Sequence, residues 1–196
     1  MRALGISGSP RANGNTEVMV KEALEGARQS GAEVEFVGLA GLSIGGCRAC
    51  PECGKGGRCV IEDDMQPLYP KLVGADVVII GSPVYFGMIT AQTKALLDRT
   101  YLLAKTGRKL EGKVGGVITV GGRSGHELSA ALLMDFMTLH GMALPGRAFA
   151  QSFSRELGAA GQEEKALRDA RSLGERAVKM ALRLAGPERK AEVKVP

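Results

Sequence analysis

The chain contains no tryptophan and, in 196 residues, only three tyrosines and five phenylalanines. With aromatics this scarce there is no basic stripe interleaved with them, so no nucleic-acid footprint is visible despite a formal charge of +5. That excess reads as solvated lysine and arginine, part of it matched internally if the chain holds anionic cofactors. No apolar stretch approaches the roughly 20 residues that a membrane-spanning helix needs. The opening MRALGISGSP carries one basic residue and a short apolar run that turns to glycine and serine, unlike a secretory signal peptide. A cytoplasmic protein with neither a membrane nor a nucleic acid as partner is expected. Histidine occurs only at positions 126 and 140, and cysteine only at 47, 50, 53 and 59. There is no nucleophile triad, no HExxH and no evident pair of carboxylates, which directs attention to chemistry carried by a cofactor.

Glycine, by contrast, is abundant: 28 residues, about twice the usual ~7%. Its placement is informative. Three apolar, strand-like runs each end in a glycine- or serine-rich turn followed by a helix-like segment: RALGISGSP (2–10), ADVVIIGSPVYFG (75–87) and GGVITVGGRSG (115–125). EVEFVGL (33–39) is another short strand and ALPGRAFAQ (143–151) a weaker fifth. Helical periodicity covers 15–30, 91–104, 127–140 and 163–184, the last being an amphipathic surface helix that repeats Leu167, Ala170, Leu173, Ala177, Met180 and Leu184. Strands alternating with helices predict an α/β fold: one flavodoxin-like, doubly wound domain over residues 1–185, with a five-stranded parallel sheet in the order 2-1-3-4-5 and helices on both faces. Residues 186–196 form a charged tail. In such a sheet the strand-to-helix loops open on one edge, where ligands bind.

The loop SGSPRANGNT, residues 7–16, joins the first strand to the first helix. Free backbone amides and the helix dipole favour an anion there, Ser7, Ser9, Asn15 and Thr16 can donate hydrogen bonds, and Arg11 offers a charged fork. Lacking both a Gly-Lys-Ser/Thr ending and the GxGxxG fingerprint, it suits a single terminal phosphate. After the third strand, Pro83 stiffens a turn that carries Tyr85 and Phe86, an aromatic pair able to border a flat ring. Gly121, Gly122 and Gly125 let backbone approach a ring edge. His126 lies beside them, within reach of a ligand or as a first-turn helix residue, and His140 fits a helix C-terminus that favours a partly positive imidazole. Glu62, Asp63 and Asp64 read as the cap of a helix beginning near Met65.

All four cysteines fall in CRACPECGKGGRC, spaced C-x2-C-x2-C-x5-C. Structural zinc sites usually use two separated CxxC knuckles, whereas successive x2 spacings match ferredoxin cluster loops. Glycines 54, 56 and 57 would let Cys59 bend back as the fourth ligand. Zinc and free thiols remain open on the spacing alone.

Together these motifs resemble the iron-sulfur flavoproteins, a branch of the flavodoxin-like FMN reductases, over nearly the whole chain from SGSPR to HGM. The resemblance implies FMN, its phosphate held by Ser7, Ser9, Arg11, Asn15 and Thr16. It implies that the isoalloxazine ring lies between Pro83, Val84, Tyr85, Phe86 and Gly87 on one side and the Gly121–Gly125 loop on the other. It implies a [4Fe-4S] cluster on Cys47, Cys50, Cys53 and Cys59, and at least a homodimer, or a tetramer. Electrons would pass from a one-electron donor such as ferredoxin through the cluster to FMN and on to oxygen, peroxide or a quinone-like acceptor. The other expectation is an NAD(P)H-dependent FMN or quinone reductase with structural or zinc-binding cysteines. A third is a redox-sensing binding protein. The family's third loop is slightly longer and richer in glycine before a Gln-Glu pair; here it is GGRSGHE.

Overall fold

The computed structural model describes residues 1–146 and 148–185; the predicted charged tail, 186–196, lies outside them. In chain order the elements are β1 (Arg2–Ser7), α1 (Asn15–Gln29), β2 (Glu33–Gly38), α2 (Glu52–Gly56), α3 (Leu68–Gly74), β3 (Val77–Tyr85), β4 (Met88–Ile89), α4 (Ala91–Arg99), α5 (Tyr101–Lys105), β5 (Val114–Val120), α6 (His126–Leu139), β6 (Phe149–Ser152) and α7 (Glu164–Leu184), with a 3-10 turn at Ala159–Gln162. Five strands run parallel in the order β2-β1-β3-β5-β6. Counting parallel strands only, this is the predicted 2-1-3-4-5 order. The two-residue β4 is additional and pairs antiparallel with the end of β3.

The side-chain alternation of a strand explains the two-faced core. Along β3, Val77 and Ile79 join Met19, Val20, Leu24, Leu173 and Val178 under α1 and α7. Val78 and Ile80 face the other way, onto Leu96, Leu102, Leu133 and Met137 beneath α4, α5 and α6. A strand buried on both faces reads as an unbroken apolar run, as VVII does.

Two predicted features change. The helix expected over 91–104 is broken at Thr100 into α4 and α5: the Thr100 hydroxyl donates to the Leu97 carbonyl at 2.6 Å instead of facing solvent. His140 ends α6, yet it is not a partly positive cap. Burial, then the nearby charge of Arg108, holds its pKa below the ordinary histidine value. Its Nε2 lies 3.0 Å from Thr100 Oγ1, whose hydrogen already goes to Leu97, so Nε2 donates and the buried Nδ1 has no partner. A second proton would find no acceptor. Because the folded pKa lies below the unfolded value of roughly 6.5, the unfolded chain binds the extra proton first as pH falls. Stability is therefore lost as pH drops through that value, and the loss levels off below the folded pKa. Urea midpoints measured at several pH values from 7.5 to 5 should fall with acid in the wild type and fall less in His140→Gln.

Candidate functional site

The loops at the carboxyl ends of β1, β3, β5 and β6 enclose one cleft of about 190 Å³. The first wall is the loop into α1. Its N-cap is Gly14, which makes no side-chain cap, and the first intrahelical bond runs from Val18 N–H to the Gly14 carbonyl at 3.1 Å. The amides of Asn15, Thr16 and Glu17 therefore have no helical acceptor. Such amides, with Ser9, Arg11 and Thr16 also lining the cleft, fit a phosphate chemically. This loop is held against β3 by buried hydroxyls: Thr90 Oγ1 donates to the Gly8 carbonyl at 2.6 Å, and Thr93 Oγ1 to Ser82 Oγ at 3.1 Å. Gly8 is required for that approach, since a Cβ there would stand 1.9 Å from Thr93 Oγ1.

Of the thirteen residues expected to hold the cofactor, Ser9, Arg11, Asn15, Thr16, Pro83, Val84, Tyr85, Gly121 and Gly122 line the cleft. Ser7, Phe86, Gly87 and Gly125 do not. Ser7 is buried as the last residue of β1. Phe86 points fully into solvent from a left-handed backbone, φ 50°. Gly87 and Gly125 instead bring the second and third loops together: a Cβ on Gly125, at φ +92°, would meet the Gly87 Cα at 2.5 Å. Asn15 has a further task. Its amide donates to the Glu156 carbonyl at 2.7 Å and its oxygen accepts from Ala160 N–H at 3.1 Å, so the side chain fastens the loop after β6.

That fourth loop contributes Ser154, Arg155 and Leu157 to the cleft, with Arg155 laid directly over Gly122. Ser154 in turn donates to Glu163. His126 does not project into the cleft. It is buried at the start of α6, with Nε2 donating to the Gly121 carbonyl and Nδ1 facing Thr119 Oγ1, both at 3.0 Å, and its ring 4.4 Å from that of Phe153. It therefore fixes the direction of the Gly121 carbonyl.

The cysteines lie elsewhere. Cys47, Cys50 and Cys53 line a second cavity of about 600 Å³ with Tyr101, Asp98 and Lys105, and none of its lining residues belongs to the first cleft. Cys53 and Cys59 both pack against the core. All four are free thiols. Among the described residues no three His, Cys, Asp or Glu side chains converge closely enough for one metal ion. Four thiols on one loop, three of them on one cavity, are soft donors of the kind that zinc and iron-sulfur clusters both take.

Residues 1–156 match the family model for NADPH-dependent FMN reductase. The chain belongs to that family. It is thus a flavin-dependent oxidoreductase, and relatives narrow the branch. The chain is 41% identical over 148 residues to an iron-sulfur flavoprotein of Methanocaldococcus jannaschii, covering 74% of this chain and 76% of that one. An iron-sulfur flavoprotein of Methanosarcina thermophila is 40% identical over 148 residues, covering 74% and 78%. The fold matches solved structures at low identity. RosB with a bound flavin-derived intermediate has a TM-score of 0.78 at 19% identity, covering 94% of this chain and 80% of that one. An archaeal flavodoxin has a TM-score of 0.64 at 17%, covering 92% and 99%.

Proposed function

We propose that this FMN reductase family member is an electron-transfer flavoprotein with FMN in the first cleft and a [4Fe-4S] cluster on Cys47, Cys50, Cys53 and Cys59. The observation that carries this reading is the segregation of all four thiols into one loop, three of them on one cavity, in a chain about 40% identical to proteins named iron-sulfur flavoproteins. When bound, the cluster would take single electrons from a donor such as ferredoxin, and FMN would pass them on to oxygen, peroxide or a quinone-like acceptor. The chain's own part is to bind and orient. Ser9, Arg11, Thr16 and the first-turn amides of α1 hold a phosphate. Pro83, Val84 and Tyr85 face Gly121 and Gly122 across the space for a flat ring. A homodimer or tetramer is part of the proposal.

The second reading, hydride transfer from NAD(P)H, is favoured by the family's description and by a 30% identical relative named NAD(P)H dehydrogenase (quinone). Anaerobic purification with iron, labile-sulfide, zinc and flavin analysis, followed by stopped-flow reduction, separates the two. Iron and sulfide with flavin, reduced by ferredoxin or dithionite but not by NAD(P)H, is the expected result. Rapid bleaching by NAD(P)H in a protein without sulfide would establish the second reading instead.

Arg11 provides a separate check. Arg11→Glu removes a charge-assisted contact and sets a carboxylate against the phosphate, so FMN affinity should fall at least tenfold, the equivalent of about 1.4 kcal/mol. Wild-type affinity in a flavin titration would remove Arg11 from the site.

A further inference from the structure

The cysteine loop has a neck, and a side chain from a distant helix closes it. Residues before Cys47 and after Cys59 are joined mainly through side chains. Asp64 accepts from Ser43 N–H at 2.6 Å, while its own N–H donates to the Ser43 carbonyl at 3.1 Å. Asp63 accepts from Gly45 N–H at 2.9 Å and from Met65 N–H at 3.1 Å. Gln66 donates to the carbonyls of Cys59 and Ile61 at 3.1 and 2.7 Å. The acidic trio is therefore not a helix cap: α3 begins only at Leu68, Asp63 and Asp64 turn back to the other flank, and Glu62 pairs with Arg58.

At the centre is Arg99, the last residue of α4, whose side chain is 1% exposed. Its guanidinium forks onto Asp63, at 2.6 and 3.0 Å, and the same two nitrogens reach the Gly45 carbonyl at 3.0 Å and the Ile61 carbonyl at 3.2 Å. One planar group thus bonds to both sides of the neck, two residues before the first cysteine and two after the last. Arg99 is itself anchored, because Tyr69 donates to its main-chain carbonyl at 3.2 Å. A buried charge is tolerated only when paired and hydrogen-bonded, and the fork geometry needs a guanidinium; an ammonium is a point donor that cannot reproduce it. Asp63 is correspondingly held below the ordinary carboxylate pKa: burial opposes ionisation, and the bonds from Arg99, Gly45 and Met65 outweigh it.

We propose that Arg99, through Asp63, is the positioning residue of the cysteine loop: it keeps the neck closed before any metal arrives, so that the two ends of the loop, and with them Cys47 and Cys59, are held at a fixed separation. The metal-loading part rests on the cluster reading above; the closed neck does not.

The test uses the full-length protein as wild type, Arg99→Lys and Asp63→Asn. Metal-free samples are alkylated under native conditions, and the rate at each cysteine is followed by mass spectrometry. Each sample is also reconstituted with ferrous iron and sulfide, and its iron, sulfide and flavin are measured. Both variants should keep wild-type flavin content, because no neck residue lines the flavin cleft. Alkylation of Cys59, which packs against the core, should accelerate at least about tenfold, the factor for losing one charged hydrogen bond of ~1.4 kcal/mol. Iron and sulfide should fall together. Wild-type alkylation and loading in Arg99→Lys would overturn the proposal, as would loss of flavin in parallel with the cluster in both variants, which would make Arg99 a general support of the fold. A wild type that takes up no iron and sulfide overturns the cluster reading alone, while the alkylation rates still decide the neck.

Discussion

Cys53→Ala is expected to yield a protein that still carries flavin but has lost its labile sulfide. Cys53 sits in the short helix α2, in the middle of the loop, and lines the same cavity as Cys47 and Cys50. A cubic cluster held by four thiolates would lose the soft donor of one corner, and the other side chains on the cavity, Asp98, Tyr101 and Lys105, offer neither sulfur nor imidazole in its place. Iron and sulfide should therefore drop at least tenfold on anaerobic reconstitution. Flavin per chain should not change, because no residue from 47 to 59 lines the first cleft. Nor should folding suffer much: exchanging a half-buried thiol for a methyl group removes little apolar area, which at ~25 cal/mol per Å² is below about 1 kcal/mol. Unchanged iron and sulfide would take Cys53 out of the ligand set. Loss of zinc, with sulfide absent from the wild type as well, would replace the cluster with a structural metal.

What could be read from the chain, and what could not, follows the range of the interactions involved. The sheet order was legible because its determinants are local: VVII and the glycine-serine turns after each strand mark strand, loop and helix within a few residues. The first three cleft loops were legible for the same reason. The fourth was not: the weaker fifth strand was expected over 143–151 and β6 occupies Phe149–Ser152, but the loop beyond it, with Arg155, carries no glycine-rich signature. Asp63 and Arg99 are 36 positions apart. Locally, Asp63 belongs to an acidic trio before a helix and Arg99 to an ordinary helical turn; only the packing of α4 against the loop joins them. His126 is similar. Next to a glycine loop it suggests ligand contact, but Thr119 and Gly121 engage both ring nitrogens, and their approach depends on how β5 enters α6. Residues that touch the cleft tended to announce themselves in sequence, whereas residues that hold those in place did not.

The largest effect on stability is expected at a glycine with no chemical role, Gly174. It lies mid-way along α7, where an exposed glycine replaced by alanine would stabilise the helix by up to about 1 kcal/mol. Here the neighbour reverses the sign. A Cβ on Gly174 would stand 1.8 Å from the Ala23 carbonyl oxygen and 2.9 Å from the Ala27 nitrogen, and one on Gly26 would stand 2.0 Å from the Arg171 carbonyl oxygen. Helices α1 and α7 thus meet backbone to backbone through Gly26 and Gly174, flanked by the buried Ala23, Ala27, Ala170 and Ala177. The atoms in the way are main chain and cannot rotate aside. Relief requires moving α7 off α1, which opens the packing of Leu173 and Val178 on the sheet. Overpacking costs about 1 to 3 kcal/mol where side chains can yield, so Gly174→Val, with a rigid branched side chain, should cost about 3 kcal/mol or more. For a chain of this size, that is a fall in Tm of roughly 6 to 12 °C or more, with Gly174→Ala intermediate. Gly161→Ala is the control, since nothing stands within 4 Å of its added carbon, and its Tm should stay at or slightly above that of the wild type. Calorimetry of the four proteins decides the matter: a Gly174→Ala variant as stable as the wild type would mean that α1 and α7 are not in backbone contact.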